Sequence, residues 1–64
     1  MFKPKYKIVF IFDNGNEENV YMTKEQFDNY KKFVTETDNI NKYTSHFGCI
    51  SIFLGKVSCI KFKG

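Results

Sequence analysis

The sequence predicts an α+β fold with the order β-β-α-β-β, in which one helix packs on one face of a four-stranded antiparallel sheet. Three observations predict it: an apolar first segment that ends in turn residues, an amphipathic segment with a helix-capping sequence, and two alternating segments at the end of the chain. The 64 residues are expected to form a single domain, residues 1–64. A domain this small buries only about 60% of its unfolded surface, so a further stabilising contribution is expected.

The first strand is predicted over residues 5–12 and is expected to lie at the centre of the sheet. Its even positions are all apolar and its odd positions are half apolar, which favours a strand covered on both faces. Asp13-Asn14-Gly15 then predicts a hairpin turn. A two-residue turn would place Val20 and Met22 on the wrong face. We therefore predict a three-residue loop with a bulge and with Gly15 in the left-handed region, which sets Val20 opposite Ile8 and Met22 opposite Tyr6.

The helix is predicted to begin at Thr23, because Thr23-Lys24-Glu25-Gln26 has the sequence of a capping box. The residues that follow place an apolar stripe on one side and charged residues on the other, with Asp28 and Lys32 one turn apart. The helix is expected to end near residues 37–39. The apolar stripe consists of Phe27, Tyr30, Phe33 and Val34.

The last two strands are predicted as a second hairpin, residues 49–54 and 57–63, around a Gly55-Lys56 turn. Residues 38–46 are interpreted as a polar connector. In the predicted register, the helix-facing side carries Ile50, Ile52, Leu54, Val57 and Cys59. The opposite side carries Phe53, Ile60 and Phe62.

Two cysteines, Cys49 and Cys59, are too few for a disulfide-stabilised secreted scaffold, so both are expected to be buried thiols in a cytoplasmic protein. No signal peptide or membrane span is expected. His46 and the two cysteines match no zinc spacing, and no catalytic arrangement is recognisable. The chain is therefore expected to be neither an enzyme nor a cofactor-binding or metal-binding protein.

A single helix covers only one face of the predicted sheet, and 19% of the residues are aromatic. The uncovered apolar residues are therefore expected to form an oligomer interface, and a homo-oligomer is predicted. The predicted interface residues are Val9, Ile11, Tyr21, Phe53, Ile60 and Phe62.

The charge is segregated along the chain, although the net charge is only +3. Residues 13–38 contain all seven acids against three lysines, and the other seven lysines lie in the two end segments. Lysines at the terminal strands protect sheet edges in many proteins, but with nearby aromatic rings they also suit nucleic-acid or nucleotide binding. The absence of arginine argues against base-specific recognition. The residues of this alternative are Lys3, Lys5, Lys7, Lys61 and Lys63, with Tyr6, Phe53 and Phe62 as stacking platforms.

In its small size, its Asn, Lys, Ile, Tyr and Phe bias without Arg or Trp, and its hairpin-helix-hairpin plan, the chain resembles the short orphan proteins of phages and mobile elements in low-GC bacteria. The resemblance implies a protein that binds and inhibits, or regulates, a host or phage protein. Some proteins of this class bind nucleotides or nucleic acid instead. A non-catalytic interaction module is therefore the predicted function, with the lysine-based binder as the alternative.

Overall fold

A computed structural model describes residues 5–64, which form an α+β fold with one α-helix and two antiparallel sheets. The three-stranded sheet has the order β2-β1-β5, and the two-stranded sheet pairs β3 with β4. The predicted class is confirmed, but the single four-stranded sheet is wrong. The elements are β1 (Tyr6–Phe12), β2 (Glu17–Met22), α1 (Lys24–Glu36), β3 (Thr44–Phe47), β4 (Ile50–Phe53) and β5 (Val57–Lys63), with short 3-10 helices at Ile40–Lys42 and Leu54–Lys56.

The first hairpin has the predicted loop. The Phe12 N–H donates to the Asn16 carbonyl at 2.8 Å, and the Gly15 N–H donates to the Phe12 carbonyl at 2.9 Å. Gly15 has a φ of 88°, a conformation that glycine adopts without the steric cost of a Cβ atom. The predicted register is confirmed, since the Cα partners include Ile8 with Val20 and Tyr6 with Met22.

Helix α1 begins with the predicted capping box. The Gln26 N–H donates to the Thr23 hydroxyl at 3.2 Å, and the Thr23 N–H donates to the Gln26 side-chain carbonyl at 3.1 Å. On the exposed face, Asp28 pairs with Lys24 at 2.7 Å rather than with Lys32. The helix ends at Glu36, close to the predicted position.

Replacing Thr23 with Ala is expected to lower the free energy of unfolding by about 1 kcal/mol, because the cap would lose its hydroxyl acceptor. The matched control is Thr35→Ala in the same helix, where the hydroxyl bonds only to the Lys31 carbonyl one turn back. That control should leave the stability nearly unchanged. Urea unfolding measures both variants, and equal midpoints for the two would contradict the capping assignment.

Strand β5 pairs with β1 and not with β4, so the predicted second hairpin is wrong. Residues Leu54–Lys56 form a 3-10 helix instead of a hairpin turn, and the side chain of Leu54 is buried. The register shifts between Ile11, which pairs with Cys59, and Phe12, which pairs with Val57. Ser58 is therefore the extra residue of a β-bulge, and its hydroxyl donates to the Ile11 carbonyl at 3.1 Å.

The bulge determines which face of the sheet each β5 side chain occupies. Ile60 lies beside Phe10 and Phe62 beside Ile8, on the face that packs against the helix. Cys59 lies beside Ile11 on the other face. The sequence predicted Cys59 on the helix-facing side and Ile60 and Phe62 on the opposite side, and the structure has the reverse for all three residues.

The segment predicted as a connector contains strand β3, which pairs with β4 across a turn at Gly48 and Cys49. Gly48 has a φ of 61°. One face of this second sheet packs on the core, burying Ser45 and Ile52. The Ser45 hydroxyl bonds to the Tyr30 hydroxyl at 2.8 Å, and burial raises the pKa of that phenol while the hydrogen bond to Ser45 lowers it in part.

The core lies between the helix-facing side of the three-stranded sheet, helix α1 and the inner face of β3 and β4. Ile8 and Phe10 of the central strand are fully buried there. Aromatic rings from each layer contact one another, with centroid distances of 5.9 Å from Phe10 to Tyr30 and 5.7 Å from Phe10 to Phe47. The central position predicted for β1 is confirmed.

Candidate functional site

The side of the three-stranded sheet that faces away from α1 contributes no residue to the hydrophobic core formed by the described residues. Side chains in directly opposed positions share a face, so the strand pairings divide this side into three rows. From β2 through β1 to β5, the rows are Tyr21-Lys7-Lys63, Asn19-Val9-Lys61 and Glu17-Ile11-Cys59. We call the end of this side that carries Lys7, Lys61, Lys63 and Tyr21 the lysine face.

The lysine face concentrates positive charge on two neighbouring strands. Lys7 lies directly beside Lys63, and Lys61 is one row away. The ammonium of Lys7 is 5.8 Å from the ring centroid of Tyr21, whose side chain is 58% exposed. Glu17, at the far corner, is the single acid in the three rows. The two ion pairs formed within residues 5–64 lie on α1 and involve none of these lysines.

The structure places the six predicted interface residues in three different environments. Val9, Ile11 and Tyr21 share the helix-free side, as expected, but Val9 is only 4% exposed. Ile60 and Phe62 pack against the core instead. Phe53 is on the outer side of the second sheet and is 47% exposed. The single apolar patch assumed for these six residues is therefore not present, although self-association stays a prediction.

The residues predicted for nucleic-acid binding are also only partly brought together. Lys5 is exposed just before β1, and Lys3 lies outside the described residues. Of the three predicted stacking platforms, Tyr6 and Phe62 pack their rings against Phe27, with centroids 5.2 Å and 5.6 Å away. Phe53 is on another sheet. The lysines share a face with one exposed ring, that of Tyr21, which was not among those predicted for this role.

The polar side chains outside the lysine face form no recognisable reaction centre. His46 Nδ1 and the Ser51 hydroxyl are 2.9 Å apart on the exposed side of the second sheet. Cys49 and Cys59 are free thiols, and both are exposed, so the prediction that they are buried is wrong. Within residues 5–64, no three of the His, Cys, Asp and Glu side chains lie close enough to hold a metal ion.

A groove lies beside the outer edge of β2. It is an open groove of about 650 Å³ between this edge, helix α1 and the turn that joins β3 to β4. Its apolar lining includes Tyr30, Phe33, Phe47 and Ile50, and its rim includes Asn19 and Tyr21 of β2. The residues that line it carry no carboxylate or ammonium group.

The alternation of lysine with apolar residues in Ile60-Lys61-Phe62-Lys63 is the sequence signal for the lysine face. It separates a polar side of β5 from an apolar one. The sequence did not predict that β1 is the neighbour of β5, however, because the two strands are some 50 residues apart in the chain.

Within residues 5–64 there is no helix of the length and apolar character needed to cross a membrane. Comparisons with protein families, with curated proteins and with solved structures find no match to this chain.

Proposed function

We propose that this protein is a non-catalytic interaction module that binds an acidic surface of another protein through its lysine face and thereby inhibits or regulates that protein. The observation that carries the proposal is the placement of Lys7, Lys61 and Lys63 on adjacent strands, with exposed Tyr21, on a side of the sheet whose single acid, Glu17, lies at the far corner. Electrostatic complementarity of this kind increases association rates and selects partners by charge.

The repulsion between the closely spaced lysines of this face supports a binding role. Like charges directly opposed on neighbouring strands, such as Lys7 and Lys63, destabilise a sheet. A 64-residue domain without a disulfide has little stability to spare. An acidic partner would relieve this repulsion, because its carboxylates would lie between the ammonium groups in the complex.

The composition of the lysine face favours a protein partner over single-stranded nucleic acid. Sheet-surface nucleic-acid binders stack successive bases on several exposed aromatic rings. Here Tyr21 is the exposed ring on the face, because Tyr6 and Phe62 are committed to the core. The chain also contains no arginine, the residue that pairs with phosphate and guanine through two parallel hydrogen bonds.

The test is capture of partners from a lysate, in parallel with and without nuclease treatment. A Lys61→Glu/Lys63→Glu double variant should bind the partner at least about tenfold more weakly than the wild type, and the wild-type complex should weaken with added salt. The matched control is Lys31→Glu/Lys42→Glu, which makes the same change in net charge at exposed positions away from the face. The control should retain the partner.

Equal capture by both double variants would overturn the proposal. Loss of the captured partner on nuclease treatment, together with salt-sensitive binding of a labelled single-stranded oligonucleotide, would instead support the nucleic-acid alternative.

A further inference from the structure

We infer that two copies of this chain associate through the outer edge of β2, in antiparallel register about a two-fold axis at Asn19. The dimer would join the two three-stranded sheets into one six-stranded sheet, β5-β1-β2 followed by the partner's β2-β1-β5. This inference is independent of which partner the lysine face binds.

The outer edge of β2 has free hydrogen-bonding groups. Backbone bonds to the neighbouring strand alternate along an antiparallel pair, and Phe12 bonds to Asn16 at the start of the β1-β2 ladder. The N–H and C=O groups of Glu17, Asn19 and Tyr21 therefore point away from β1. All three residues are exposed, and β2 has β1 as its single strand neighbour within residues 5–64.

The two outer edges of the sheet differ in how well they are protected against pairing. Strand β5 carries Lys61 and Lys63 and has a bulge at Ser58, features that natural edge strands use to prevent association. Strand β2 is regular over its six residues and contains no lysine or proline. Pairing two β5 edges would also bring four lysines together. Strand β2 is therefore the edge that a second copy fits.

The register follows from symmetry. An antiparallel two-fold axis at Asn19 pairs Asn19 with the partner's Asn19 and Glu17 with the partner's Tyr21. This register uses all three outward-facing residues of each copy. Moving the axis to Val20 would instead set Glu17 opposite Thr23, where α1 is capped and the strand has ended.

Charge complementarity identifies a second copy as the occupant. Glu17 is the one acid in the three rows of the helix-free side, and in this register it lies across the seam from the partner's Tyr21. Lys7 is the neighbour of Tyr21 and holds its ammonium 5.8 Å from the centre of that ring. Glu17 and the partner's Lys7 are then two strand spacings apart, about 10 Å, which their long side chains can bridge. The two-fold axis forms this pair twice.

The first test is the mass in solution, measured by sedimentation equilibrium over a range of concentrations. The wild type is expected to reach twice the 7.6 kDa of the chain. Glu17→Lys and Lys7→Glu should each raise the dimer dissociation constant about tenfold, because each changes two ion pairs. The charge-swapped double variant should restore the wild-type value. A wild type that stays monomeric, or a double variant no tighter than the single ones, would overturn the inference.

The second test determines the register between the two β2 strands by disulfide cross-linking. With Cys49 and Cys59 replaced by Ser, Asn19→Cys should form a disulfide-linked dimer under mild oxidation, because paired Cα atoms on neighbouring strands lie within disulfide range. Glu17→Cys is the matched control, and it should stay monomeric on a non-reducing gel since the partner's Glu17 lies four residues along the strand. Equal cross-linking of the two variants would contradict the register.

Ile11→Gln distinguishes the edge dimer from a dimer packed face to face. Ile11 lies in the middle strand of the helix-free side and directly opposite Glu17, so an uncharged side chain is used, which leaves Glu17 free for the partner's Lys7. A face-packed dimer would bury the new amide without a hydrogen-bond partner and dissociate. The edge dimer should keep its dissociation constant, and dissociation of this variant would overturn it in favour of the face-packed arrangement.

Discussion

Phe10→Ala is expected to lower the free energy of unfolding by about 3–5 kcal/mol. Phe10 is fully buried in the central strand, and its ring contacts Tyr30 of α1 and Phe47 of β3. Its removal would leave a cavity where three layers meet, and such a cavity adds to the lost transfer free energy of the ring. A domain of this size has a total stability of roughly 3–10 kcal/mol, so a large fraction of the variant should be unfolded.

Urea unfolding followed by circular dichroism measures this effect. The matched control is Phe53→Ala, since that ring is 47% exposed on the outer side of the second sheet. It should cost less than about 1 kcal/mol. Similar losses at Phe10 and Phe53 would mean that the core is not centred on β1.

Ile60→Lys is expected to destabilise the fold by about 3 kcal/mol, whereas Cys59→Lys at the next position should change its stability by less than about 0.5 kcal/mol. Ile60 is partly buried beside Phe10 on the helix-facing side, where an ammonium would lose its water among apolar side chains. Cys59 is exposed on the helix-free side, so a lysine there keeps its charge in water. Thermal or urea unfolding of the two variants gives the comparison.

This pair of variants decides between the two ways of orienting β5. If β5 paired with β4 in the predicted hairpin, Cys59 would face the helix and Ile60 would not, and the order of the two effects would be reversed. A larger loss for Cys59→Lys than for Ile60→Lys would therefore argue against the β1-β5 pairing and the bulge at Ser58.

Residues close together in the sequence determined the local structure of this protein, and the sequence alone predicted that structure well. The loop around Gly15 followed from requiring Val20 and Met22 to share the helix-facing side with the residues of β1. The start of α1 followed from the capping box at Thr23 and Gln26, whose hydrogen bonds span three residues. Each of these features depends on contacts within one hairpin or one helical turn.

Which strands are neighbours was decided by the tertiary structure alone. Gly55-Lys56 is a reasonable hairpin turn by local rules, yet Leu54–Lys56 forms a 3-10 helix, after which β5 pairs with β1 instead of β4. Strand β5, and not β4, pairs with the second edge of β1, and this pairing places Ile60 and Phe62 against the core. The bulge at Ser58 then turns Ile60 and Phe62 toward the helix and leaves Lys61 and Lys63 on the other side. The lysine face exists because of that distant pairing, since strand periodicity shows which residues share a side of one strand but not which strand lies next to it.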